Sequence, residues 1–489
     1  MSCQLLADCL NEIFEYLEDD KVTLHSCLLV NHLWCEISVR ILWRNVWRFK
    51  STSSFQSDQV SSKMFDNIIT CLPDESKEIL HKNGIFVSKS TSKPSFFNYI
   101  SFCKVLSINE IDLIIQHFLE IQRLGLTRSL HYYKYLILHE ILKMYMKQVP
   151  SLKALKYLST KNISNITLTY FPESIGCLTN LSVLSCGSDI HSEFFYQLSQ
   201  ICCNIRSLTV EFEGTVSNGL KDLISSQHRL ESLSLIQSYN STDWKELIPS
   251  LKKHSNTLIK LKINGGENDG PLSFITRFKN LQELTLFFDY NDAFEDFKEL
   301  KFVKFSQLQI LKLSFGCPTV DIMIKFFENN GKNLKEFCTC NYDNRLNLAI
   351  ARFCPNLKSL FTLFLDNEIE TLKAIFNNCQ QLESIKVWCG NGYLNESELF
   401  EALANYSPKN FNELEIYFIE REILSENLEK FFNNWKNRIS QRSLSFIILI
   451  EDNDTTNMVN NENMKIIEKY KNLGIIKKFE IREYKDYEI

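Results

Sequence analysis

The sequence predicts an α/β chain in which a short all-helical module precedes a long row of strand–helix units. Three observations carry this prediction: a seven-residue phrase that keeps returning, amphipathic segments between its copies, and an opening stretch whose apolar residues recur only at helical spacing. The phrase is N/Q-L-x-x-L-x-L. Its clear copies are RLESLSL at 229–235, TLIKLKI at 257–263, NLQELTL at 280–286, QLQILKL at 307–313 and QLESIKV at 381–387, the first four starting 23 to 28 residues apart. Degenerate copies begin at Leu152, Ile163, Leu181, Ile205, Leu334, Leu357, Phe411 and Ile476. Residues 121–489 therefore read as a solenoid of roughly a dozen turns.

Strand periodicity assigns the faces. The second and third leucines of each phrase point inward with period two, so successive turns stack a ladder of apolar side chains. The residues between them must face the other, concave side. In that register Phe287, Phe361, Trp388 and Tyr417 project from different repeats, joined by Lys312 and Lys386. Exposed aromatic and basic side chains on a rigid wall are what a protein-binding hot spot uses, so these six are the candidate target-binding residues. A second match to L-x-x-L-x-L, starting at Leu360, would swing Phe361 out of the row and leaves the register at 357–365 open. Between copies, DWKELIPSLKKH at 243–254, PTVDIMIKFFENN at 318–330 and NEIETLKAIFNNC at 367–379 each carry a 3.6-residue apolar stripe and read as the convex helices.

In the opening module, residues 1–48, Leu6, Leu10, Ile13, Phe14 and Leu17 recur at helical spacing. An acidic break follows at Glu18–Asp20, a second apolar set comes at Leu24, Cys27 and Leu28, and a third runs through Val30, Trp34, Ile37 and Ile41. A three-helix unit this small is poorly stable alone and needs a neighbour or a partner over its apolar surface. Residues 49–120 read as a connector: 50–62 is polar, 74–84 is helical, and 89–108 ends as a possible strand. The apolar stretch at 130–150 reads as a helix covering the first repeat edge, and 451–463 as a polar loop.

Composition excludes several functions. With 54 basic and 59 acidic residues the net charge is −5, too weak and of the wrong sign for tracking nucleic acid. The most apolar late run, Ser443–Ile450, is far shorter than the roughly 20 residues a spanning helix needs, so no membrane role is expected. No Lys or Arg precedes Lys21, and Asp8, Glu12, Glu15 and Glu18 interrupt any signal-peptide core, which points to the cytoplasm or nucleus. The 16 cysteines are scattered, and neither Cys202 with Cys203 nor Cys338 with Cys340 has zinc-site spacing. No phosphate-binding, dinucleotide or hydrolase motif occurs, and His139, in an apolar helix, reads as a core group. No catalytic residue, metal or cofactor is expected.

The opening residues resemble the F-box, in the run LNEIFEYL and in the spacing LxxCLLVNxxW from Leu24 to Trp34. Ala7 and Cys9 stand where the family usually has Pro and Glu; a lost helix-start proline costs about 0.4–1 kcal/mol. The resemblance implies docking on a Skp-type adaptor, and through it on a cullin-RING ubiquitin ligase. The contacts it implies are Leu6, Ala7, Leu10, Ile13, Phe14, Leu17, Leu24, Leu28, Leu29, Val30 and Trp34. The later phrases resemble leucine-rich repeats, and FCPNLKSL and NCQQLESI place a Cys before the strand as do repeats that commonly follow an F-box. Together these imply a non-catalytic substrate receptor of an SCF-type ligase, which raises the effective concentration of a target lysine near a conjugating enzyme. Two alternatives stay open: a cytosolic repeat scaffold or inhibitor that binds a partner without ubiquitylation, and an enzyme or activator built on the solenoid, for which the sequence supplies no constellation.

Overall fold

A computed structural model describes residues 7–49, 54–86, 97–121, 129–158, 168, 171–238, 241–266, 270–418, 423–438, 442–450 and 460–483. Contacts divide the chain into two compact units, residues 1–230 with 249–251, and residues 231–248 with 252–489.

The first unit opens with α1 (Ala7–Glu15), α2 (Lys21–Cys27) and α3 (His32–Leu42). Capping side chains fix where the second and third begin. Asp20 accepts from the Thr23 N–H at 3.0 Å and Asn31 from the Trp34 N–H at 3.0 Å, each satisfying a donor that a helix start leaves orphaned. Leu10, Phe14, Leu24, Cys27, Ile37 and Ile41 close the core of this module. The Trp34 ring meets Phe14 edge-on at 5.1 Å.

Next come α4 (Ser54–Thr70), α5 (Asp74–Lys82), β1 (Val105–Ser107), α6 (Ile108–Ile121), α7 (Ser129–Gln148) and β2 (Ala154–Tyr157). The unit ends with α8 (Ser174–Leu178), β3 (Val183–Gly187), α9 (Ser192–Ile201), β4 (Ser207–Phe212) and α10 (Asn218–Ser226). Its strands pair in parallel in chain order.

Several expectations change here. The stretch 50–62, read as polar connector, supplies the first half of α4; further along that helix Phe65 stacks on Phe118 of α6 at 4.2 Å. The strand expected at the end of 89–108 is present as β1, so the first strand lies within residues 49–120. The helix read at 130–150 is α7, which lies in the crossover from β1 to β2 instead of covering the edge. The edge is met by the residues after α3: the Trp47 indole donates to the Val105 carbonyl at 3.0 Å, and Trp43 stacks on Tyr99 at 4.5 Å. Pairing edge groups in this way blunts a surface that would otherwise template another strand. His139 is half-exposed, not a core group, with its ring 5.3 Å from Phe171. The copy at Ile163 lies outside the described residues.

The α9–α10 contact gives a stability prediction. A Cβ on Gly219 would stand 2.2 Å from the backbone carbonyl oxygen of Ser192, a contact only backbone movement can relieve. Gly219→Ala should therefore destabilise the chain by at least about 1–3 kcal/mol despite the better helix propensity of alanine, read as a lower urea midpoint. An unchanged midpoint would mean that the two helices are free to separate.

The second unit runs through β5 (Ser232–Gln237), β6 (Lys260–Asn264), β7 (Glu283–Phe288), α12 (Phe297–Leu300), β8 (Ile310–Phe315) and α13 (Val320–Asn330); α11 (Ile248–Leu251), between β5 and β6 in sequence, belongs from Pro249 on to the first unit. It continues through β9 (Glu336–Thr339), α14 (Asn344–Phe353), β10 (Ser359–Phe361), α15 (Ile369–Asn378), β11 (Ser384–Cys389) and α16 (Glu396–Tyr406). Last come β12 (Glu413–Phe418), α17 (Ser425–Lys436), β13 (Leu444–Ile450), α18 (Asn461–Asn472) and β14 (Ile476–Glu483). These strands too are parallel neighbours in chain order. The predicted helix at 243–254 breaks into single turns around Pro249, which has no N–H to give. The polar loop expected at 451–463 lies outside the described residues up to 459, and α18 begins within it at Asn461.

The inward ladder is as the period predicts: Leu233, Leu261, Leu284, Leu311, Phe337, Leu360, Ile385, Leu414 and Phe446 are all buried and stand in register. Leu360 pairs with Phe337 and Ile385, which settles the ambiguous phrase and leaves Phe361 in the outward row. Residues at the C-terminal ends of three helices also share a task. The Cys202 thiol donates to the Leu181 carbonyl and the Cys379 thiol to the Cys354 carbonyl, at 3.2 and 3.3 Å. At the end of α13, the Asn330 side chain accepts from the Phe305 N–H at 2.7 Å and donates to the Val303 carbonyl at 3.0 Å. Burial pushes the Cys379 thiol up to about 12, so these sulfurs are hydrogen-bonding wedges and not reactive groups.

Candidate functional site

Two surfaces hold the residues singled out in the sequence. In the three-helix module, Ala7, Ile13, Leu29 and Val30 are exposed, Leu17, Leu28 and Trp34 are half-buried, and Leu6 lies outside the described residues. Leu10, Phe14 and Leu24 are 3% exposed or less. The last three were expected at the adaptor surface; instead they form the module's own core, because a unit this short has few other side chains to close it. Tyr16 and Val22, which the motif match passed over, are exposed beside the first set.

The second surface is the outward face of the sheet in the second unit. Register sets two rows there. Lys312, Cys338, Phe361, Lys386 and Glu415 are cross-strand neighbours from β8 to β12, and Glu336, Ser359, Ser384 and Glu413 form the row beside them. Small residues between long ones leave a hollow: Ser359 and Ser384, hydroxyl to hydroxyl at 2.9 Å, floor a cavity of about 140 Å³ walled by Lys312 and Glu336 on one side and by Lys386, Glu413 and Glu415 on the other.

The lysines are committed. Lys312 pairs with Glu336 at 2.7 Å, and the Lys386 ammonium sits 4.8 Å from the centroid of the Phe361 ring. Burial raises the Glu415 carboxyl above its ordinary value; Lys386 and Arg482 oppose this, and Glu413 adds to it. Glu413 makes no ion pair among the described residues. The cavity is thus lined by three carboxylates and two lysines, with Arg482 reaching Glu415 at 3.5 Å, where the sequence suggested a basic surface.

An aromatic shelf borders the cavity. Trp388 lies 5.1 Å from Tyr417 and 5.2 Å from Tyr393, ring to ring. Tyr393 is carried by a tight loop after β11, in which Gly390 and Gly392 take φ of 101° and 88°, conformations that a side chain disfavours. Its N–H donates to the Gly390 carbonyl at 2.7 Å. On the other side β10 stops after Phe361, where the buried Asn347 donates to the Leu363 carbonyl at 2.9 Å and accepts from the Thr362 hydroxyl at 2.8 Å. Leu363 therefore packs with Phe361, Cys338, Cys340, Trp388 and Tyr393 in one cluster.

Of the six residues predicted for this face, Phe361, Lys386, Trp388 and Tyr417 come together, and Lys312 stands across the cavity. Phe287 is separate, and it, Phe361 and Tyr417 are 5–7% exposed, more buried than a protruding hot spot requires. An aromatic that does protrude is Phe315. By strand parity it should point inward, yet its φ is +62° and it is 40% exposed, with its ring edge-on to Phe287 at 4.8 Å. A bulky side chain on left-handed backbone costs about 1–2 kcal/mol. Its only trace in the sequence is the Gly316-Cys317-Pro318 turn that follows.

Among the described residues no group of three or more His, Cys, Asp or Glu is placed to share a metal ion, and no helix is long and apolar enough to cross a membrane.

No family model and no curated protein matches this chain. Solved structures do. A leucine-rich-repeat protein of Leptospira interrogans aligns at 13% identity over 65% of this chain and 83% of its own, with a TM-score of 0.33. A leucine-rich repeat-containing protein of Legionella pneumophila aligns at 12% over 60% and 93%, also at 0.33. A chain of the Drosophila Toll–Spätzle complex aligns at 10% over 63% and 55%, at 0.25. Within each unit the chain's own parallel strands follow one another in chain order, the register of a repeat array.

Proposed function

We propose that this chain is a partner-binding repeat scaffold in which the outward face from β8 to β12 holds a target protein. Its three-helix module docks on a Skp-type adaptor, so that the chain serves as the substrate receptor of a cullin-RING ubiquitin ligase. The observation that carries the adaptor half is that the module completes its own core and still leaves Ile13, Val22, Leu29 and Val30 exposed. Uncovered apolar side chains at this density mark interaction surfaces. The outward face supports the target half: a rigid floor, a cavity and an aromatic shelf give the central anchors and polar rim that protein interfaces use. In this reading the chain contributes proximity alone.

A second reading, a scaffold without ubiquitylation, is favoured by one observation. Trp43 and Trp47 fasten the end of the module to β1 and its approach, which is what a capping segment does. Gel filtration of the full chain with a Skp-type adaptor and a cullin N-terminal region separates the two. Co-elution of all three supports the receptor, whereas a chain that elutes alone supports the scaffold.

A further inference from the structure

We propose that the outward face between β8 and β12 receives an amphipathic helix of the partner protein, with apolar side chains on Phe315 and Trp388 and basic side chains over Glu413 beside the cavity. This rests on the reading of that face as the partner-binding face.

Three features of the face converge on that occupant. The first is Phe315. Its left-handed backbone turns a ring that parity would bury to the outside, and the neighbouring Phe287 supports it there. Strained residues of this kind cluster at ligand clamps. The second is the spacing and chemistry of the anchors. Phe315 on β8 and Trp388 on β11 are three inter-strand spacings apart, about 14 Å, which is between two and three helical turns. The ground between them is Cys338, Cys340, Phe361 and Leu363, an apolar floor with little to hydrogen-bond. An extended segment laid there would leave backbone N–H and C=O groups without partners, whereas a helix satisfies its own.

The third feature is charge. Lys312 is held by Glu336, and Lys386 stands between the Phe361 ring and the Glu415 carboxylate; Glu413 completes the cavity wall with no cation paired to it among the described residues. Basic side chains along one flank of the helix supply that charge, and the Ser359 and Ser384 hydroxyls below accept hydrogen bonds from an ammonium or guanidinium.

The test is selection of random 20-residue peptides displayed on phage against the full chain. Binders are then titrated against the parent and the variants Phe315→Gly, Trp388→Ala and Glu413→Lys, each checked for folding by circular dichroism. Phe315→Gly removes the ring while suiting the φ. The expected binders carry apolar residues at i, i+3 or i+4 and i+7 with Lys or Arg along one edge, and weaken about tenfold or more with each variant. Binders that need Phe315 and Trp388 but alternate with period two, or carry acidic flanks, would overturn the helix while leaving this face as the binding face. Binders indifferent to all three variants, or no binders, would overturn both.

Discussion

Replacing Lys134 with Met is expected to lower folding stability by about 3–5 kcal/mol, one of the two largest effects anticipated for a single side chain here. Lys134 of α7 meets Asp112 of α6 at 2.7 Å, and both side chains are under 10% exposed. Removing the cation strands a carboxylate already short of solvent, whose second oxygen, Oδ1, has no partner. Burial raises the Asp112 carboxyl, and Lys134 only partly offsets this. For a carboxyl raised on folding, stability is greatest below the unfolded value and falls as pH rises through the folded one. Loss of Lys134 raises the group further, so the deficit of Lys134→Met should be largest at neutral pH and shrink as the solution is acidified. Urea unfolding at neutral pH and at pH ~5 reads both. Asp112→Leu combined with Lys134→Met should recover most of the loss, because an apolar pair of similar volume carries no desolvation cost. A deficit independent of pH, or a double variant no better than the single one, would show that the pair is not electrostatically buried.

The second large effect separates neighbours. Phe14→Asp places a carboxylate among Leu10, Leu24, Ile37 and Ile41, and should cost about 4 kcal/mol or more. Ile13→Asp, one residue earlier and 48% exposed, should change stability by no more than about 0.5 kcal/mol. Near-ultraviolet circular dichroism, sensitive to Trp34 against Phe14, should lose signal in the first variant and keep it in the second. Equal effects would mean that α1 sits on the module differently.

This pair also shows how far the sequence could be read. The helical stripe Leu10, Ile13, Phe14 was visible, but which part closes the core depends on where α2 and α3 lie, and spacing within one helix does not hold that information. The repeats were far more legible, because each inward leucine is tested again in the next turn and the buried ladder from Leu233 to Phe446 keeps period two throughout. Two strands escaped assignment as repeat copies. In β13 every residue is buried, outward Ile447 and Leu449 included, so the alternation that marks a strand is absent. In β1 three residues are too few to show a period. On the outward face, parity and register agree on the row positions of Phe361, Lys386, Trp388 and Tyr417, but Phe361 and Tyr417 are only 5–7% exposed. Parity missed Phe315, because a left-handed residue breaks the alternation on which parity rests. It also missed the neutralisation of Lys312, which needs the register of β8 on β9 to bring Glu336 alongside.

Calorimetric titration of the full chain with a purified Skp-type adaptor decides whether the three-helix module docks, comparing the parent with a variant carrying Ile13→Asp, Leu29→Asp and Val30→Asp, three exposed positions whose replacement spares the core. The expected result is a one-to-one complex for the parent and at least about a hundredfold weaker binding for the variant, with unchanged circular dichroism. No heat of binding from the folded parent, or equal affinity in the two proteins, would contradict docking.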